Sequence, residues 1–436
     1  MKNYRKWLPL LLIVLLLASW YKLYSDKAAD VGVYEGYLAE ARKYAESGIT
    51  KFAIENYNAA LALYPTEEVY AEVAEYYMQQ KDGREYVTWC EDFLEKYPYS
   101  SLAFDCLIRG YMQDEVYDEV YDMLEEAEAR GVSSSYMQEV RQQTYYMYSF
   151  GYTSYDDVGI FSNNYAAVKA DDKWGFVTRF GELRISCKYQ EVGVYTTQMN
   201  TAPVVNSQGV PYFIDKSGAK VLATNEEYLR FGNLIGDHIA AQKSDEKYTY
   251  LNAELKECFG EYDYAGAINN GVAAVLIDES WMLIDDKGNQ IGDDVFDEIR
   301  MDEKTICYRR GRVFARIGEE WFMLDGSGNK IGTQSFADAK TFVDDSYAAV
   351  KIGEEWHFID VNGNVKPEAY QNARSYSNGF AAVQIGGKWG FLDIDGNLVI
   401  NNEFFDAKDF NEKGSCFVKT GDQWQLLKIY RLNREG

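Results

Sequence analysis

The sequence predicts a multidomain α + β repeat protein: an α-solenoid followed by an all-β repeat array, with a propeller-like ring favoured over an open β-solenoid. Three observations predict it. Residues 34–150 place apolar and aromatic side chains at three- and four-residue spacing, with a period of about 34 residues. Residues 152–430 instead run in short alternating stretches punctuated by Gly-Asn and Asp-Gly turns. That second segment aligns against itself as eight units, each opened by an aromatic residue. At 436 residues the chain exceeds one ordinary core and implies two or three domains.

Composition narrows the function. Forty-four basic residues against 69 acidic ones give a formal charge of −25. So acidic a chain lacks the phosphate-neutralising surface of a general nucleic-acid binder, and anionic headgroups repel it. Only His238 and His357 are histidines, which excludes chemistry built on a histidine cluster. Thirty-seven tyrosines suit repeated packing units.

The N-terminus reads as an address. Lys2, Arg5 and Lys6 precede an uncharged run from Trp7 to Tyr21, bracketed by Trp7 and Trp20. Residues 1–6 form a tail, 7–24 a transmembrane signal anchor and 25–33 a linker. Fifteen residues span about 22 Å as helix, short of the roughly 30 Å of a bilayer core, with Lys22 snorkelling to narrow the gap. A cleaved signal peptide competes, although Leu16-Leu17-Ala18-Ser19-Trp20 offers no clean pair of small residues. The basic flank places the N-terminus in the cytoplasm and the bulk outside, making the membrane a partner through this helix. In that compartment a Cys90–Cys106 disulfide is open; the six scattered cysteines otherwise read as buried small side chains.

Residues 34–150 resemble tetratricopeptide repeats. Tyr44, Tyr77 and Tyr111 recur 33 and 34 apart, and Pro65 and Pro98 each end a helix pair. The small and aromatic positions of the family fall on Ala41, Tyr44, Ala53, Tyr57, Ala60 and Pro65, then on Ala74, Tyr77, Tyr86, Cys90, Phe93 and Pro98. A third copy carries Tyr111, Val120, Leu124 and Ala127, with Gly131 at the proline position, and Tyr37 and Tyr70 replace the usual tryptophan. Ser133–Ser135 offer an N-cap for a polar capping helix. The resemblance implies a concave groove faced by Arg42, Glu75, Met78, Asp105, Arg109 and Met112, where two arginines would hold a peptide carboxylate.

The β units open at Tyr155, Tyr189, Tyr228, Tyr262, Phe296, Phe336, Tyr370 and Phe405. A second aromatic recurs at Trp174, Tyr212, Tyr248, Trp281, Trp321, Trp356, Trp389 and Trp424, read as structural core. These units resemble WG repeats, a bacterial family named for its Trp-Gly pair. The full pair stands at Trp174-Gly175 and Trp389-Gly390; Met282, Phe322, His357 and Gln425 replace the glycine elsewhere. The family implies no single activity. About 34 residues per unit is short for a four-stranded blade. Yet the array begins with a unit's opening piece and ends before a closing strand, so its ends complete each other. Residues 431–436 form a tail.

The chemistry candidates read as structure. Asp393-Ile-Asp395-Gly396-Asn397 has calcium-loop oxygens but no bidentate glutamate at the required spacing, so it reads as a hairpin turn and no metal is expected. Glu319-Glu320 and Glu354-Glu355 point to opposite strand faces and make no dyad. No phosphate loop, nucleophile elbow or cofactor motif occurs. The reading is a non-enzymatic, membrane-anchored bacterial envelope protein without cofactor, a scaffold for a protein or peptide partner. The alternative is an envelope glycan binder or carbohydrate-active protein with a cell-wall polymer as partner, which requires exposed aromatic rings.

Overall fold

Proline and short polar caps divide the first part of the chain into helices. The computed structural model describes residues 4–343 and 347–434, the side chains of most of residues 4–29 and of 433–434 excepted. It separates into two units, Met1–Tyr145 and Tyr146–Gly436. The first contains α1 (Tyr4–Glu46), α2 (Thr50–Leu63), α3 (Glu67–Gln80), α4 (Gly83–Lys96), α5 (Ser101–Gln113), α6 (Tyr117–Ala129) and α7 (Ser135–Gln143). Tyr64 and Tyr97 leave helical geometry because each precedes a proline. Thr66, Ser100 and Ser134 cap α3, α5 and α7 by accepting from the backbone N–H three residues on. Ala41, Ala53, Ala60, Ala74 and Cys90 are fully buried, so neighbouring helices pack closely at these positions. Gly110 serves the same end, since a Cβ there would sit 2.7 Å from the Tyr86 ring.

Two expectations change here. Residues 25–33, expected as a linker, continue α1, which runs unbroken from Tyr4 to Glu46. The segment holds no proline and its first glycine is Gly32, so nothing in it stops a helix. Among the described residues no helix is long and apolar enough to cross a membrane. The single-pass anchor, and the cytoplasmic-to-outside topology built on it, is corrected accordingly. The physical reason is length: a fifteen-residue uncharged run is about 8 Å short of a bilayer core, and α1 carries it straight on into charged sequence. The side chains of residues 4–15, which hold most of that run, lie outside the described residues.

The second unit is an eight-bladed β-propeller. Each blade has an inner strand and a central hairpin, and five of the eight add an outer strand, as in Asn372–Ala373, Phe380–Ile385, Lys388–Asp393 and Leu398–Phe404. Inner strands of only two residues in six of the eight blades explain how a unit of about 34 residues makes a blade. The ring closes where the sequence placed it: Tyr148–Tyr155 pairs with Trp424–Ile429, from Tyr155↔Trp424 to Tyr148↔Ile429. The first strand thereby becomes the outer strand of the last blade, and no open end of the array remains as an edge.

The Trp-Gly pair now has a mechanical meaning. A Cβ on Gly390 would lie 2.5 Å from the carbonyl oxygen of Ile400, and one on Gly175 2.4 Å from that of Ile185. Glycine lets a bulged outer strand pass directly over this position, giving the seven-residue strands Leu183–Tyr189 and Leu398–Phe404. Where Met282, Phe322 and His357 replace it, the outer strand bows away and touches its blade only at bridges such as Trp281↔Phe296 and Ile284↔Gln290. One aligned residue also moves. The eighth opening aromatic is Phe404, which pairs with Trp389 and is buried; Phe405 is 55% exposed.

Candidate functional site: the axis of the propeller

The hairpin aspartates hold their own turns. Asp360 Oδ1 accepts from the backbone N–H of Asn362 and Asn364, and Oδ2 from the Asn364 amide. Asp285, Asp325 and Asp393 repeat the arrangement. Burial works against ionisation at Asp325, Asp360 and Asp393, but the donated bonds prevail and hold each carboxyl below its usual range. The calcium-loop resemblance is therefore a self-capped turn. Among the described residues no acidic, cysteine or histidine cluster could hold a metal ion.

The groove residues of the helical unit fall into two places. Arg42 forms a two-pronged pair with Glu72, both bonds 2.7 Å, and Tyr57 donates to the same carboxylate. The Arg42 guanidinium holds Glu72 below the usual carboxylate range. Arg109 lies 3.7 Å from Glu75 and stacks over Tyr136, while Asp105, half-buried, accepts from Ser134. Burial pushes the Asp105 carboxyl up. Met78 and Met112 are half-buried. Both arginines thus already hold internal carboxylates. Cys90 and Cys106 are free thiols.

The β-repeat aromatics split into two classes that periodicity does not distinguish. Trp321, Trp356, Trp389 and Trp424 are buried, whereas Trp174, Tyr212, Tyr248 and Trp281 are half-exposed. The two halves of the ring also differ four residues after each opening aromatic. The first four blades carry Gly159, Gly193, Gly232 and Gly266 there; the other four carry Arg300, Lys340, Arg374 and Lys408. From Gly193 onward, this residue's backbone N–H donates to the neighbouring strand in the same way in each blade, as in Gly193 to Pro203 and Arg374 to Ala382. Arg300, Lys340 and Lys408 lie over Trp321, Trp356 and Trp424 at 4.3, 4.6 and 5.7 Å from the ring centroids.

The cations also tie blade to blade. Arg300 donates to Asp338 (2.6 Å), Lys340 to the Ala373 carbonyl (2.7 Å) and Asn372 Oδ1 (3.3 Å), and Arg374 to Asp409 (2.6 Å), each in the next blade. Glu303, on the turn after blade five's inner strand, crosses to accept from Arg374 (2.8 Å) and Lys408 (3.1 Å), two and three blades away. It separates two hollows. One, of ≈ 300 Å³, is lined on the cationic side by Arg300, Arg309, Lys340 and Arg374, with Asp302 and Asp409. The other, of ≈ 260 Å³, lies on the glycine side with Tyr248, Tyr264, Glu191, Arg230 and Asn233. Burial opposes the charge on Arg374, but Asp409 and Glu303 keep its pKa above the ordinary value. Among the described residues Lys340 hydrogen-bonds only to neutral acceptors, and burial, with Arg374 beside it, outweighs Asp409 and Asp338 and depresses it to about 8.

The sequence reading missed this cluster. Its signal was present, a switch from glycine to cation at one repeat position, but the eighth unit was aligned one residue late. That shift put Asp409 where Lys408 belongs.

These features define an eight-bladed propeller with a charged axis, preceded by a helical unit. The β unit is built from WG-containing repeats: the WG containing repeat model matches residues 154–174, 174–206, 260–281, 358–389 and 389–424. Among solved structures, BamB from Moraxella catarrhalis is similar at 11% identity over 65% of this chain and 98% of that one, TM-score 0.44. The WD40 β-propeller domain of Doa1 is similar at 10% identity over 62% and 97%, TM-score 0.34. Virginiamycin B lyase from Staphylococcus aureus is similar at 8% over 64% and 99%, TM-score 0.33. No curated protein matches the sequence.

Proposed function

We propose that this protein is a non-enzymatic scaffold that binds a protein or peptide partner. One observation carries the reading. The closing strand bulges between Phe150 and Ser154 and presents Tyr152 fully to solvent, with Phe150 and Phe180 40% and 51% exposed around one shallow hollow of ≈ 130 Å³. Clustered exposed aromatics beside a pocket are the usual anchors of a protein interface. The helical unit, read as a tetratricopeptide-like arm, supplies a second binding surface. A photo-crosslinker at Tyr152, with a control at exposed Gly421, tests this in cells. A discrete adduct at 152, lost in F150A/F180A and absent at 421, is expected. Equal crosslinking at both positions would refute it.

Glycan binding is the second reading, favoured by the half-open rings of Tyr248 and Tyr264 beside Glu191, Arg230 and Asn233. It requires that Y248A/Y264A abolish retention on a glycan array.

A further inference from the structure

We propose that the cationic hollow on the propeller axis is a binding site for a small organic polycarboxylate, a ligand beyond the protein partner proposed above. Among the described residues five basic side chains line it, Arg300, Lys304, Arg309, Lys340 and Arg374, against three carboxylates, Asp302, Glu303 and Asp409. That positive excess stands in a chain of net charge −25. Like charges gathered on one side of an axis repel each other, and interblade stapling alone does not require four in succession. The glycine half of the ring closes without any.

The structure shows which anion the cluster suits. Glu303 is an internal carboxylate seated between Arg374 and Lys408, with N–O distances of 2.8, 3.1 and 3.3 Å. The same wall has two donors that Glu303 does not reach. Among the described residues Lys340 Nζ meets only the Ala373 carbonyl, the Asn372 amide oxygen and the Trp356 ring. Arg300 Nε is buried with no acceptor among the described residues, although its other nitrogens bond Asp338 and Glu298. A buried donor left unmet costs free energy that a bound oxygen recovers. The hollow, ≈ 300 Å³, lies at the small end of ligand-sized sites. A polycarboxylate would place one carboxylate at Lys340 and Arg300 and a second toward Arg374, beside or in place of Glu303.

Calorimetric titration of the full chain with citrate tests this, with inorganic phosphate as a second arm and chloride at matched ionic strength as the control. Saturable one-to-one binding of citrate is expected. K340M should weaken it at least tenfold, and so should K340Q, which retains a donor toward the Ala373 carbonyl. E303Q should tighten it at least threefold, because Arg374 loses one of its two internal carboxylates and Lys408 loses the carboxylate it meets. Circular dichroism of each variant establishes that the propeller is folded. The proposal is overturned if citrate gives no heat beyond the chloride control, or if K340M and K340Q bind it as the parent does. Binding of phosphate but not citrate would overturn the carboxylate assignment.

Discussion

Replacing Gly390 with alanine tests the account of the Trp-Gly pair. The added Cβ would lie 2.5 Å from the Ile400 carbonyl oxygen and 2.8 Å from the Asn401 carbonyl carbon and Asn402 nitrogen. All three are backbone atoms, so no side chain can swing aside. To reach ordinary contact the outer strand must retreat by about 1 Å, which stretches a ladder bond of about 2.9 Å beyond useful length. The pair Phe391↔Ile400 sits at this point, and Asn402 Nδ2 bonds the carbonyls of Val383 (3.0 Å) and Lys388 (3.1 Å). Losing two or three such bonds, at about 1 kcal/mol each, costs about 2–3 kcal/mol. Restricting the unfolded chain returns about 0.5–1 kcal/mol. The net expectation is a loss of about 2 kcal/mol, or roughly 3 °C in Tm for a unit of this size. Differential scanning calorimetry of G390A beside G421A, where a Cβ meets nothing within 4 Å, is the assay. G421A should stay within about 0.5 kcal/mol of the parent. A G390A loss no larger than that would refute the steric reasoning.

Further outcomes follow from the axis, the turns and the thiols. Lys340 faces Arg374, Asp409, Asp338 and Arg300 and is depressed to about 8 from an unfolded value near 10.5. Its charged form is therefore penalised in the fold: the penalty is absent above pH 10.5, grows as pH falls and is complete below about 8. K340M should accordingly stabilise the propeller at pH 7 by about 1–3 kcal/mol, with the gain shrinking toward pH 10, as read by urea unfolding across pH. A destabilised K340M at pH 7 would count against this. D360A removes three bonds from one turn and should cost about 1–2 kcal/mol, whereas D360N keeps an acceptor and should cost less, by the same unfolding assay. A thiol reagent should modify Cys258 first in native protein, because Cys258 is exposed while Cys307 and Cys416 are buried with their thiols pushed up, Cys307 to about 12. Release of Cys307 only on unfolding is the expected trace.

Much of this architecture is written locally. Residue period separates the helical half from the β half, proline and capping residues mark the helix ends, and out-of-phase array ends imply ring closure. Each depends on the chain's own neighbours, so the sequence alone determined it. It could not tell which tryptophans would be covered. Trp281 and Trp321 occupy the same repeat position, but Trp281 is half-exposed whereas Arg300 lies over the buried Trp321 ring. Nor could it place Glu303 against Arg374 and Lys408, 71 and 105 residues away, because that contact exists only once the ring brings blades five, seven and eight to a common axis. The anchor failed for a related reason: hydropathy scores a segment in isolation, whereas α1 makes the apolar run one stretch of a 43-residue helix. Tertiary structure decided the charged axis because charge acts through space, and only closure of the propeller sets those distances.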